Sequence, residues 1–191
     1  MGRRRMLSAF KAAAEVGNYA DVAVLPLDVD PQVALSRNWL KQPFFHLYEH
    51  DTVIAQMSGS SVVRMHDSSV NYFTLTTGDN VYVPAGTPHR IEPIEEGVML
   101  TYVPLGLGLE GAAWFCEKCG AELHRLEWVH DNDAEAVRVY ATACARFNSD
   151  TEARTCRECG TVAEEIDLEA LGWEEFIVPS AKNLAESGAH S

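Results

Sequence analysis

From residue 20 to residue 104 the chain is written in short apolar runs, each cut off by turn-forming residues. "YADVAVLPLDV", "FFHLYE", "TVIAQMSG", "SSVVRMH", "NYFTLTT", "NVYVPAG" and "GVMLTYVP" are rich in Val, Tyr, Phe and Thr, with Gly, Asn, Pro or Ser near their ends. β-Branched and aromatic side chains suit a pleated, half-buried surface. Short strands at close spacing with turn signals between them predict an antiparallel sandwich or barrel. At 191 residues the chain has room for one such core and an appendage, but not for two large domains. No internal repeat or low-complexity linker interrupts the region.

The appendage announces itself in "WFCEKCGAELHRLEW" (114–128) and "RTCRECGTV". Cys116 and Cys119 form one C-x-x-C pair and Cys156 and Cys159 another, each followed by a glycine, with thirty-six residues between the pairs. A short turn carrying two thiolates supplies half of a tetrahedron, and Gly120 and Gly160 let the backbone fold back beneath the sulfurs. Two half-sites close a four-cysteine site for zinc or iron. A single redox pair would not require the second. Four protein ligands leave no open position for substrate, so the expected role is folding free energy rather than chemistry. The fifth cysteine, Cys144, makes the set a poor disulfide inventory. "DNDAEAVRVYATACARFN" (131–148) has apolar residues at helical spacing and predicts a helix between the pairs.

Apolar residues make up 47% of the chain and charged residues 23%, ordinary for a soluble globular protein. The formal charge of −13 makes nucleic acid and anionic membranes poor partners. No run approaches the roughly 18 apolar residues of a membrane span, and the expected setting is the cytoplasm. "MGRRRMLSAFKAAAEVG" is broken by Lys11 and Glu15 and reads as a short amphipathic helix rather than a cleaved targeting segment. "DLEALGWEEFIVP" predicts a short helix or turn that packs its Leu, Trp and Phe, and "SAKNLAESGAHS" a polar tail. The resulting division is an N-terminal helix or arm (1–19), a barrel (20–110), a four-cysteine ribbon with an intervening helix (111–165) and a C-terminal segment (166–191).

The strongest local signal for chemistry is "GDNVYVPAGTPH". Gly78, Pro84, Gly86 and His89 stand at the spacing of the second motif of the cupin barrel, which this stretch resembles. Gly78-Asp79 makes a turn, "NVYV" a strand, and Pro84 with Gly86 a tight bend. His89 then points inward from the next strand, a natural position for a neutral imidazole ligand to a metal. The stretch resembling the first motif is "FFHLYEHDTVIAQMSG". His46 falls in the first histidine slot, Tyr48 in the second, and Thr52 in the slot of the glutamate. Glu49, His50 and Asp51 lie close enough in sequence to supply another ligand or a proton shuttle if the turn is re-formed.

A cupin followed by "WFCEKCG-x-x-x-HR-x-E" and a late "C-x-x-C-G" resembles the bacterial type of 3-hydroxyanthranilate 3,4-dioxygenase, from about residue 20 to about 162. The resemblance implies a jelly-roll-like cupin with a mononuclear Fe(II) held by two His and one Glu, and a distal four-cysteine iron site with no part in ring cleavage. The implied metal ligands fall on His46 and His89 and the distal ligands on Cys116, Cys119, Cys156 and Cys159. The departures are equally specific. Thr52 stands for the metal glutamate, Gln42 and Pro93 for the two substrate arginines, and Pro104 for a substrate-contacting glutamate. An arginine fork grips a carboxylate with two charge-assisted bonds, which Gln42 cannot do, leaving Arg64 or Arg90 to act from other strands.

Two function classes follow. One is a metal-dependent cupin oxygenase, using Fe(II) and O2 on a small polar metabolite of amino-acid or aminophenol type. The other is a non-redox cupin, a lyase, isomerase or binding protein without catalytic metal. The missing third ligand favours the second class and the retained histidine pair favours the first. A homodimer joined through barrel edges is the expected assembly.

Overall fold

The computed structural model describes residues 8–26, 28–66, 69–106, 108–130 and 135–177. A short helix, α1 (Ala9–Ala13), precedes strands β1 (Val22–Ala23), β2 (Gln32–Asn38), β3 (Phe45–Tyr48) and β4 (Thr52–Gln56). Then come β5 (Ser60–Met65), β6 (Tyr72–Thr76), β7 (Asn80–Val83), β8 (His89–Glu95) and β9 (Gly97–Val103). β10 (Leu109–Phe115) and β11 (Glu122–Val129) complete the strands, followed by α2 (Ala136–Ser149), α3 (Thr151–Arg154), α4 (Leu168–Leu171) and a 3-10 turn at Glu174–Phe176.

The strands form two antiparallel sheets, one in the order β1-β2-β9-β4-β7 and the other β11-β10-β3-β8-β5-β6. From β2 to β10 the chain crosses between the sheets at every step except β5–β6, as in a jelly roll. The expected mainly β, jelly-roll-like fold is what forms, as an open two-sheet sandwich rather than one closed cylinder. Inward residues of both sheets, among them Ile54, Val63, Met65, Val83, Ile91, Met99, Ala112 and Trp114, share a core with Val137, Tyr140, Ala141 and Phe147 of α2. Phe147 stacks on Trp114 at 4.4 Å between ring centroids.

Several expectations need correction. "YADVAVLPLDV" forms only the two-residue β1, whose start is set by the left-handed backbone of Tyr19 and Asp21 at φ 51° and 46°. "QVALSRN", which forms the seven-residue β2, was not among the predicted strands, and neither was β10. The predicted helix begins at Ala136, and its acidic start (131–134) lies outside the described residues, as does the polar tail. β10 runs through residue 110, so the sandwich and the cysteine ribbon share a strand.

Candidate active site and cysteine cluster

β3 lies between β8 and β10, and its register decides which side chains meet. His46 pairs with His89 of β8, Tyr48 with Glu110 of β10, and Ala112 with His46. Directly paired residues project to the same face of a sheet, and residues two apart on a strand share that face. His46, Tyr48, His89 and Glu110 therefore stand together. Ala112 and Ile91, on the same parity of β10 and β8, belong to the core, so this is the inward face. His46, His89 and Glu110 are 3%, 2% and 5% exposed. The two imidazoles lie 6.0 Å apart with 18° between their planes.

Glu110 organises the site. Its Oε1 accepts from His46 Nε2 at 2.6 Å, and Oε2 accepts from His130 Nδ1 at 2.9 Å and Trp128 Nε1 at 3.1 Å. Tyr140 of α2 presents its hydroxyl to Glu110 Oε1 at 3.1 Å and to Asp21 Oδ2 at 3.0 Å. Burial alone would push the Glu110 carboxyl upward. The bonds from His130 and His46 outweigh it and hold the group well below the usual carboxylate range. At Asp21 desolvation outweighs the charge of nearby His46 and the bond from Tyr140, and raises it from 3.8 to about 6. His89 is lowered from 6.5 to about 3, by burial first and by neighbouring His46 second. It is a neutral imidazole whose Nδ1 faces the Thr87 carbonyl at 3.1 Å, which leaves Nε2 as its lone-pair nitrogen.

Other residues singled out in the sequence lie elsewhere. Glu49, His50 and Asp51 sit in the exposed β3–β4 turn and do not converge on the histidines. Glu49 accepts from the Leu109 amide at 2.7 Å and Asp51 from the Ala85 amide at 2.9 Å, so both carboxylates pin neighbouring loops. Arg64 and Arg90 pair with each other across β5 and β8 one residue out of step with the inward positions, which places both on the outer face. There they bond Glu92, and Arg90 also bonds Glu117 and lies over Phe45. Arg90 lines a cavity of about 470 Å³ between that face and the cysteine ribbon, away from the histidines. Gln42 is buried, and its Oε1 accepts from the Ile91 amide at 3.0 Å. Thr52 is buried on β4, with its hydroxyl 3.4 Å from the His50 carbonyl.

Sequence reasoning missed Glu110, Tyr140, Asp21, Trp128 and His130. A lone acid in the apolar run "LGLEGAAWF" was the available signal for Glu110. Nothing local marked the others.

The four cysteines meet as their spacing requires. All four sulfurs lie within 4.8 Å of one another, with Cys116–Cys159 at 3.6 Å and Cys119–Cys156 at 3.5 Å. Bonds of about 2.3 Å to a tetrahedral ion imply sulfur separations of about 3.8 Å, so the cluster fits a metal. The two knuckles repeat one backbone pattern. Gly120 N–H bonds the Cys116 carbonyl at 2.8 Å, and Gly160 N–H bonds the Cys156 carbonyl at 2.9 Å. Both glycines are left-handed, at φ 76° and 71°. Among the described residues this is the one group of three or more potential ligands drawn that close together. His46 and Glu110 already touch, so in the sandwich it is His89 that stands off.

No family model matches the chain. It is 29% identical over 125 residues to a 3-hydroxyanthranilate 3,4-dioxygenase of Bacillus thuringiensis, covering 63% of this chain and 68% of that protein. It is 24% identical over 122 residues to the Candida albicans protein of the same name, covering 62% and 69%. Among solved structures, hydroquinone 1,2-dioxygenase from Sphingomonas sp. TTNP3 superposes with a TM-score of 0.45 at 18% identity, over 50% of this chain and 71% of that one. The chain thus resembles 3-hydroxyanthranilate 3,4-dioxygenases at a distance, with a four-cysteine cluster beside a jelly-roll-like sandwich.

Proposed function

We propose that this chain is a cupin-type oxidoreductase of the dioxygenase kind, with Fe(II) in the sandwich and zinc or iron at the cysteines, acting on a small amino-acid or aminophenol metabolite. The observation that carries this reading is the buried pair His46 and His89, directly opposite across β3 and β8, with His89 neutral and its Nδ1 already engaged. Two imidazoles on adjacent strands are donors of the type such an ion takes. Iron bound there supplies activation of dioxygen. The chain's own part is to hold the two imidazoles, to keep water out of the buried face, and to seat a carboxylate, Glu110, beside them. The relatives' substrate is not carried over. Gln42 is spent on the Ile91 amide and Arg64 and Arg90 face outward, so no arginine fork reaches the site from these positions.

The test is oxygen uptake by Fe(II)-loaded protein across a panel of aminophenols and amino acids, with His89→Ala as the control. Substrate-dependent uptake that the variant loses supports the reading. 3-Hydroxyanthranilate itself should not be opened. Losing charge-assisted bonds to its carboxylate costs roughly 1.5–3 kcal/mol each, and turnover at about 1–1000 per second would restore the relatives' activity to this chain. A second reading, acid–base chemistry without catalytic metal, is favoured by the 2.6 Å bond between His46 Nε2 and Glu110, which already engages that nitrogen. No oxygen uptake, together with a sandwich that binds no ion, selects it.

A further inference from the structure

We infer that the cavity of about 470 Å³ between the outer face of β3, β8 and β10 and the cysteine ribbon is a binding site for a small planar aromatic carboxylate, separate from the histidines. It stands whether or not the sandwich holds a metal. Small-molecule sites are concave spaces of roughly 300–1,000 Å³, mostly apolar, with a few polar groups converging on one spot. Part of this lining is aromatic. Phe45, paired with Ala113 across β3 and β10, meets Phe115 edge-on at 5.1 Å, and Trp114 stacked on Phe147 lines the same cavity. A flat ring packs against such faces and edges in the geometries that aromatic pairs prefer.

The polar groups converge on one carboxylate oxygen. Glu117 Oε1 accepts from Lys41 Nζ at 3.2 Å and from Arg90 Nη1 at 3.0 Å, and all three residues line the cavity. Arg90 is held in place. Its Nε and Nη2 donate to Glu92, which also accepts from Arg64, and its guanidinium lies 4.5 Å over the Phe45 ring. The Arg90 side chain is 9% exposed, whereas that of Glu117 is 73% exposed. Ion pairs at that exposure contribute little, so Glu117 turns out to water at small cost. Lys41, Arg64 and Arg90 then face the single acid Glu92, a local positive excess in a chain of formal charge −13. Glu164, the other acid on the lining, is exposed. Glu117 is thus a resident stand-in for a ligand carboxylate. Because Arg90 lies over Phe45, the seat it occupies adjoins the aromatic lining.

The experiment titrates 2-naphthoate into the Zn²⁺-loaded full chain by calorimetry, comparing wild type, Lys41→Met and Glu117→Gln. Both replaced side chains are more than half exposed, at 51% and 73%, so the fold is not at stake. Wild type should bind one 2-naphthoate per chain. Lys41→Met should bind it about 10-fold more weakly, the low end for losing a hydrogen bond to a charged group. Glu117→Gln should bind it about 3–10-fold more tightly, because the competing exposed ion pairs are gone. The neutral 2-naphthamide and the cationic 2-naphthylmethylamine should bind wild type more weakly than the acid. No binding by wild type or Glu117→Gln overturns the inference. So does an affinity left unchanged by either substitution, which would place the probe elsewhere or remove the stand-in. Amide or amine binding as tight as that of the acid overturns it as well, since no carboxylate seat would then exist.

Discussion

Asp21 combines an unusual backbone with an unusual charge. Its φ of 46° lies where a non-glycine residue is strained by roughly 1–2 kcal/mol, least for Asn and Asp. Its carboxylate, desolvated beside Tyr140, titrates near 6 instead of 3.8. The folded chain therefore keeps a proton that the unfolded chain releases between about pH 4 and 6, and stability falls as pH rises through that window. Asp21→Asn keeps an acceptor for Tyr140, suits the left-handed backbone and does not ionise. The variant is expected to melt higher than wild type at pH 7.5, with the gap narrowing toward pH 4. Thermal unfolding at the two pH values measures this, and a gap independent of pH would mean that Asp21 titrates normally.

Two devices at the scale of elements carry much of the architecture. At the β4–β5 turn, Gly59 is left-handed at φ 69°, and a Cβ there would lie 2.3 Å from the Glu96 carbonyl oxygen. Gly59→Ala combines backbone strain with a clash against main chain and is expected to cost about 2–5 kcal/mol by denaturant unfolding. Gly120 also has positive φ, but nothing lies within 4 Å of its added Cβ, so Gly120→Ala should cost only the strain of about 1–2 kcal/mol. The second device is the pair of cysteine knuckles, which clamps the turn after β10 to the segment after α3. Cys116→Ser leaves three thiolates and is expected to release the cluster ion and lower the melting temperature, both read on one purified sample. A variant with full metal content and unchanged melting would remove the clamp's structural role. The knuckles were legible because their ligands lie within each turn. β2 and β10 were not, because "QVALSRN" and "LEGAAWF" mix polar and small residues that become strand only against neighbours distant in sequence.

Across the whole molecule, the end of the described chain closes back on its beginning. Trp173, 1% exposed, donates its Nε1 to the Asn18 carbonyl at 2.9 Å across 155 positions of sequence, and its ring lies 6.3 Å from that of Tyr140. That contact ties the α4 region to the loop carrying Tyr19 and Asp21 and to the helix that reaches Glu110. Trp173→Ala is expected to cost about 3–5 kcal/mol. By the same route it should perturb the sandwich site, visible as weaker metal binding there with the cysteine ion retained. A loss of stability with sandwich binding unchanged would show that the closure does not support the site. Among the described residues no helix is long and apolar enough to cross a membrane.

The mainly β architecture and the two cysteine knuckles were determined by the sequence alone, because each is written in local spacing. Strand runs alternate with turn residues, two thiols share each knuckle, and the Gly78–His89 segment shapes its own bend. Which acid joins the histidines was decided only by tertiary structure. Glu49, His50 and Asp51 are near His46 in sequence, yet the β3–β4 turn carries them to the surface. Arg64 and Arg90 have suitable chemistry, yet the period-two alternation of β5 and β8 turns them outward. Glu110 lies sixty-four residues from His46 and reaches it through a strand register that no local pattern encodes. Nearness across a sheet depends on the pairing of strands, and pairing is settled by the packing of the whole core.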